Sequence, residues 1–236
     1  MPNVLVTGSS RGIGAAIRAA LEKRGATVIG HASKQSTVSS ITADFTDPKA
    51  PGQLWDDALA QAGGRIDILI NNAGIFEANP LRSDDADWLE LWERTMTVNL
   101  TASAQLSRFA VQHWREEGRG GRMVHVASRA GHRGDSPWHW HYAASKGGML
   151  AMHKTIARAY AREHIFSYAV APGFTDTSMA GDYLDSRGGA DLLKDIPLGD
   201  VATPKEIATI ATFCALDAPA SMTGAVIDAN GASYVR

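Results

Sequence analysis

Val4-Leu5-Val6-Thr7-Gly8-Ser9-Ser10-Arg11-Gly12-Ile13-Gly14 decides the architecture of this chain. A short apolar run leads into glycines spaced Gly-x3-Gly-x-Gly. Ile13, Ile17 and Leu21 then recur every four residues as far as Lys23-Arg24-Gly25. The pattern predicts a strand, a tight turn, an amphipathic helix and a glycine stop. Glycines there let the main chain approach a pyrophosphate, and the helix start offers unpaired N–H groups and a positive dipole end. Gly8, Ser10, Arg11, Gly12, Ile13 and Gly14 are therefore candidate cofactor contacts. Tight turning and close helix packing are the competing uses of such glycines.

The strand–helix alternation continues downstream. Strands are expected near Asn3–Val6, Thr27–Gly30, Ile41–Ala43, Ile66–Ile70, Arg122–Ala127, Phe166–Ala171 and Ala225–Asp228, with long helices near Val98–Glu117 and Tyr142–Glu163. Alternation of this kind predicts an α/β fold: a Rossmann-type, doubly wound parallel sheet of about seven strands. Residues 1–236 are expected to form one dinucleotide-binding and catalytic domain. The polar, glycine-containing stretch near 174–195 is expected to act as a substrate lid. His31–Ser40 leaves about ten residues for a crossover that normally needs about a dozen or more, so its helix should shrink to a turn or two.

Composition narrows the function. A net charge of −2 and a pI near 6.4 give no basic field for nucleic acid or an anionic membrane. Cys214 is the single cysteine, which removes disulfide frameworks and cysteine metal sites and suits a reducing, cytoplasmic setting. The chain enters a strand at once, without a signal-peptide pattern, and no apolar run reaches the ~20 residues of a membrane span.

Chemistry concentrates at predicted strand ends, where open α/β sheets bind ligands. Ile66-Asp67-Ile68-Leu69-Ile70 runs into Asn71-Asn72-Ala73-Gly74; Val124-His125-Val126-Ala127 runs into Ser128; Ala169-Val170-Ala171 runs into Pro172-Gly173. Tyr142 and Lys146 stand one helical turn apart. A phenol near pKa 10 is a poor acid or base at neutral pH. An ammonium on the same helix face is expected to draw it toward the working range, while a serine hydroxyl holds a carbonyl oxygen for protonation. Chance alone gives about 0.15 such tyrosine–lysine pairs in a chain of this composition.

The end of the second strand, Gly30-His31-Ala32-Ser33-Lys34, lacks the carboxylate that usually binds the ribose 2′-hydroxyl of NAD. Ser33, Lys34 and Arg11 suit a 2′-phosphate instead, so NADP(H) is favoured over NAD(H). The alternative makes Lys34 and Arg11 ordinary solvated charges.

Taken together, Thr-Gly-x3-Gly-x-Gly, Asn-Asn-Ala-Gly, a lone Asn99, Ser128, Tyr-x3-Lys and Pro-Gly closely resemble, in order, the classical short-chain dehydrogenase/reductase family. The likeness runs from Val4 to about Gly231 and is strongest to its 3-oxoacyl carrier-protein reductase branch. It implies a catalytic set of Asn99, Ser128, Tyr142 and Lys146, with Asn99 bending its helix and holding a water in a proton relay from Lys146. Asp44, with Phe45 beside it, would meet the adenine amino group. Asn71, Ala73 and Gly74 would lie by the adenosine ribose, and Pro172, Gly173, Thr175 and Thr177 by the nicotinamide carboxamide. For Asp44 a turn-capping role is the alternative, and for Asn99 a buried amide that only satisfies backbone groups.

The implied activity is NADPH-dependent reduction of a ketone or 3-oxoacyl group, and its reverse, on a small-molecule substrate by a homotetramer. A regulator or scaffold that binds dinucleotide without turnover is the alternative, and its mark would be a broken catalytic set. Apolar residues on several faces of the helix near Val98–Glu117, among them Leu100, Leu106, Phe109, Val111 and Trp114, agree with a second helix partner.

Departures from the family concern the substrate. Tyr168 replaces the usual asparagine, and Glu163-His164 stands where carrier-protein reductases carry a basic docking residue, although Arg119 matches the other one. Between Ser128 and Tyr142 lie Arg129, His132, Arg133, Asp135, Trp138, His139, Trp140 and His141. Trp138 and Trp140 are expected to wall an apolar substrate pocket, or else to pack the loop onto the core. The histidine spacing is poor for one helix face, and no metal site is expected.

Overall fold

A computed structural model of the chain describes residues 1–35, 40–177 and 193–236. Seven parallel strands form one sheet in the order β3-β2-β1-β4-β5-β6-β7. They are β1 Asn3–Val6, β2 Thr27–Ala32, β3 Ile41–Thr42, β4 Ile68–Asn71, β5 Gly121–Val126, β6 Ile165–Pro172 and β7 Val226–Ala229. The helices between them are α1 Gly12–Lys23, α2 Ala50–Gln61, α3 Asp85–Met96, α4 Ala102–Glu117, α5 Ala130–Arg133, α6 Trp140–Tyr160 and α7 Pro204–Leu216. This is the doubly wound parallel sheet that the alternation predicts, with strand order reversing between β1 and β4.

Each sheet face carries its own apolar layer, which is why the strands read as apolar runs. Leu5, Leu69 and Met123 pack with Leu54, Leu106 and Trp114 of α2 and α4. Val4, Val6, Ile70, Val124 and Val170 face the other way, toward Ile17 and Leu21 of α1 and Ile207 and Ala211 of α7. The indole of Trp114 donates to the Ile66 carbonyl at 2.7 Å. Leu106, Val111 and Trp114 are thus consumed by the chain's own core and offer no outer face to a second helix partner.

One expectation changes. The helix expected from Val98 begins as a π-turn, Thr97–Thr101, wedged between α3 and α4. The Ala102 N–H bonds the Thr97 carbonyl five residues back, so one extra residue is accommodated at Asn99. The short helix expected between β2 and β3, and most of the lid near 174–195, fall on residues 36–39 and 178–192, outside the described residues.

Candidate active site

The glycine turn is shaped by backbone that only glycine adopts easily. Gly8 and Gly12 have φ of +63° and +53°, and a methyl group on Gly14 would overlap the Gly8 carbonyl. The turn is also cross-braced. Thr7 Oγ1 accepts the N–H groups of Asn72 and Ala73 at 2.9 Å each, and the Asn72 amide donates to the carbonyls of Thr7 and Gly8 at 2.9 and 3.1 Å. β1 and β4 therefore hold the start of α1 open above the sheet.

A cleft of about 330 Å³ runs along the carboxyl ends of the strands, within the size range of a small-molecule or cofactor site. Gly8, Ser10, Arg11, Gly12, Ile13 and Gly14 line it beside Ser33, Lys34, Asp44 and Phe45. Farther along come Ala73 and Gly74, then Ser128, Tyr142 and Lys146, then Pro172, Gly173, Thr175 and Thr177. Asp44 also caps its turn, accepting the Thr46 N–H at 3.0 Å, and that bond holds its carboxyl below the usual carboxylate range.

Asn71 is the exception. Strand alternation sends its side chain to the far face of β4, where it is fully buried and donates to Ser107 Oγ at 3.1 Å beside the His125 ring. Its neighbour Asn72 reaches the cleft in its place, a role the doubled amide in the sequence left open. His125 lies 5.7 Å from His153, and His153 Nδ1 meets Ser167 Oγ at 2.7 Å. Both rings are fully buried, and burial pushes His125 down to about 3 and His153 to about 4.

Ser128, Tyr142 and Lys146 meet at one end of the cleft. Gly131 lets α5 lie against α6, since a methyl group there would crowd the Lys146 main chain, and this sets Ser128 beside the Tyr142 hydroxyl. Lys146 is almost fully buried. Its ammonium donates to the Val126 carbonyl at 2.9 Å and sits 5.8 Å from the Tyr142 ring centre. Burial pushes Lys146 down to about 8 and the Tyr142 phenol up to about 12, against the opposing pull of the Ser128 hydrogen bond.

The lowered phenol expected from the Tyr–Lys spacing is thus not found. Desolvation of the buried phenol is the largest influence on it and outweighs the Ser128 hydrogen bond.

Asn99, at the π-turn, acts as a two-armed clamp. Its side chain accepts the Ile75 N–H at 2.8 Å, donates to the Ile75 carbonyl at 3.0 Å and donates to Ser145 Oγ at 3.2 Å. It joins the segment after β4 to α6 one residue before Lys146, and it lies behind the cleft wall.

The tryptophans do not line the cleft. Residues 138 to 141 alternate, so His139 and His141 turn inward, each 1% exposed, while Trp138 and Trp140 are 43% and 54% exposed. The apolar wall comes from residues not singled out in the sequence. Phe76 stacks on His139 at 4.0 Å and meets the Tyr142 ring edge-on at 4.7 Å, and Phe174 lies under the Arg129 guanidinium at 4.8 Å. A lone phenylalanine after Asn-Asn-Ala-Gly carries no sequence pattern that would reveal this. Among the described residues, no group of three or more His, Cys, Asp or Glu is placed to hold a metal. No helix there is long and apolar enough to cross a membrane.

A switch-point cleft that joins a glycine turn to a buried Tyr–Lys pair defines a nucleotide-dependent oxidoreductase site. The family model described as short chain dehydrogenase matches residues 2–188. The chain belongs to that family and is an NAD(P)-dependent oxidoreductase. It is 35% identical over 243 residues to the 3-oxoacyl-acyl-carrier-protein reductase of Escherichia coli, covering 98% of this chain and 96% of that one. An uncharacterized short-chain type dehydrogenase/reductase of Sinorhizobium fredii is 36% identical over 198 residues, 83% of this chain and 76% of its own. Among solved structures, a short-chain type dehydrogenase/reductase from Mycobacterium marinum superposes with a TM-score of 0.89 at 26% identity, covering 100% and 96% of the two chains. The aldohexose dehydrogenase of Thermoplasma acidophilum gives 0.88 at 25% identity, covering 100% and 94%.

Proposed function

We propose that the protein uses NADPH to reduce a ketone or 3-oxoacyl group to a secondary alcohol, and catalyses the reverse, with Tyr142 as general acid and base. The observation that carries this reading is the convergence of Ser128, Tyr142 and Lys146 at one end of a cleft whose other end is the glycine turn. The dinucleotide supplies the hydride. Ser128 holds the carbonyl oxygen, and the Tyr142 hydroxyl gives it a proton. A phenol pushed up to about 12 is protonated at neutral pH, the state that reduction requires. The Lys146 ammonium anchors α6 to β5 and presents a cation beside the ring. Asn99 fixes the Ser145–Lys146 turn and holds a relay water in the family manner. With all four residues present, the non-catalytic alternative has no broken element to rest on.

The remaining cleft residues hold the cofactor. Gly8, Ser10, Gly12, Ile13 and Gly14 cradle the pyrophosphate; Asp44 and Phe45 meet the adenine; Ala73, Gly74 and Asn72 follow the ribose; Pro172, Gly173, Thr175 and Thr177 border the nicotinamide. Arg11, Ser33 and Lys34 take the 2′-phosphate. NADPH should therefore bind more tightly than NADH by roughly 1–3 kcal/mol. Fluorescence titration of both tests this, and equal affinities or an NADH preference would sink it.

Phe76 and Phe174 make apolar ketones and short 3-oxoacyl thioesters the favoured substrates. Carrier-protein docking is less supported: Glu163 takes the place of a basic docking residue and is paired with Arg115 at 2.7 Å. In a panel of ketones, 3-oxoacyl thioesters and sugars read by NADPH oxidation, Phe174→Ala should lower kcat/KM for bulky apolar ketones by about tenfold. A native preference for sugars overturns the assignment. A cytoplasmic homotetramer is the corresponding assembly, and light scattering that gives a 25.1 kDa monomer at micromolar concentration would contradict it.

A further inference from the structure

His31, next to last in β2, lies in the cofactor cleft, where neither the Tyr–Lys chemistry nor the 2′-phosphate cations involve it. Its ring is almost fully buried and is held on three sides. Nδ1 accepts the Gly8 N–H at 3.0 Å, Nε2 meets the Ala43 carbonyl at 2.8 Å, and the face stacks on Phe45 at 4.3 Å with 12° between the planes. The main chain adds to the junction. The His31 carbonyl accepts the Ser9 N–H at 2.9 Å, and the His31 N–H donates to Ser9 Oγ at 3.1 Å. One side chain therefore ties the glycine turn to the segment after β3 that carries Asp44 and Phe45.

The partners fix the protonation. A carbonyl oxygen can only accept, so Nε2 carries hydrogen; an amide N–H can only donate, so Nδ1 does not. A second proton would set two donors against each other at the Gly8 contact, directly beneath the turn whose glycine has φ of +63°. We propose that His31 is a positioning residue for the dinucleotide: its neutral, Nε2-protonated imidazole holds the glycine turn in its binding form, and a second proton releases the turn and weakens dinucleotide binding. This rests on the cofactor reading given above.

Charged groups lie on each neighbouring element: Arg11 in the turn, Arg18 of α1 beside Gly30, Lys34 after β2, Asp44 after β3, and Arg94 of α3 near Asp44; of these, Asp44 acts on the ring directly. The hydrogen bond to the Ala43 carbonyl and the Asp44 carboxylate favour the charged ring. Burial is the largest influence and holds the ring below the ordinary histidine range, so the neutral form prevails at neutral pH.

The test is the dissociation constant of NAD+, measured by calorimetry from about pH 8.5 down through the His31 transition on the native protein and on His31→Gln. NAD+ lacks the 2′-phosphate, so no titration of that group near pH 6 intrudes. A glutamine amide can accept from Gly8 and donate to Ala43 without titrating. Native affinity should weaken as pH falls, approaching about tenfold per pH unit below the His31 transition, while His31→Gln stays flat. Nitrogen-15 shifts of the native imidazole provide a readout independent of the variant's folding, with hydrogen expected on Nε2 alone at alkaline pH. A flat native profile, tighter binding in acid, an unchanged slope in His31→Gln, or hydrogen on Nδ1 overturns the proposal. Failure to bind NAD+ or NADPH at any pH overturns the cofactor reading and this one together, whereas pH-independent binding overturns this one alone.

Discussion

Replacing Tyr142 with phenylalanine should lower turnover of an established ketone by at least about a hundredfold, the usual worth of general acid catalysis. The substitution keeps the ring, so the edge contact with Phe76 and the position of α6 survive, and NADPH affinity should change by less than about twofold. Loss confined to kcat is therefore the expected signature. The pH profile gives a second view. Ketone reduction needs the phenol protonated and should hold its rate across neutral pH, because burial keeps Tyr142 up at about 12. Alcohol oxidation needs the phenolate and should gain rate as pH rises. Near-normal turnover in the variant, or an oxidation rate that falls with rising pH, would remove Tyr142 from the chemistry.

Acid should unfold this protein through its interior before its surface carboxylates titrate. His125 and His153 are neutral and fully buried, with folded-state values pushed down to about 3 and about 4. In the unfolded chain each binds a proton near pH 6.5. Their folded values are depressed, so the unfolded state holds more protons below pH 6.5, and stability present above that pH is lost as pH falls toward about 4 and then about 3. Between pH 6.5 and pH 5 the two rings together should remove about 3 kcal/mol. His125→Asn keeps a polar neighbour for Asn71 without a titrating group, and it should remove about half of that slope. Urea unfolding across this range measures both, and a stability that does not change between pH 6.5 and pH 5 would contradict the account.

What could be read in the sequence was local and made of backbone. The turn at Gly8–Gly14 was legible because its glycines answer to dihedral angles and close approach, which need no distant partner. The strand ends were legible because an apolar run stopping at Asn72, Ser128 or Pro172 marks the same edge of the sheet each time. Face assignments failed where one residue of phase decides. Asn71 and Asn72 look equivalent in the chain, yet alternation buries one behind the sheet and gives the other to the cleft. The same one-residue phase turned Trp138 and Trp140 outward and His139 and His141 inward. Contacts between distant segments were not legible at all: His31 on Gly8 and Ala43, Phe76 on His139 and Tyr142. The direction of the Tyr142 shift was missed for a related reason, since burial belongs to the folded molecule and not to the spacing of two residues.

The extra residue at Thr97–Thr101 works as a phase adjuster between two helices. The buried residue of α3 is Thr95, and most of that helix faces outward, whereas α4 buries Leu106, Ala110, Val111 and Trp114 along a continuous stripe. An α-helix turns about 100° per residue, and the bulge absorbs its extra residue without passing that turn on to α4, so removing one residue there would leave a regular helix with the stripe in place. Trp114 would keep its bond to Ile66, whereas the wide turn that presents the Asn99 amide to Ile75 would be lost. Length is thus tied here to the cleft and not to the core. A substitution in this stretch alters one contact, but a single-residue deletion removes the wide turn that positions Asn99 while the layer beneath β4 and β5 keeps its phase.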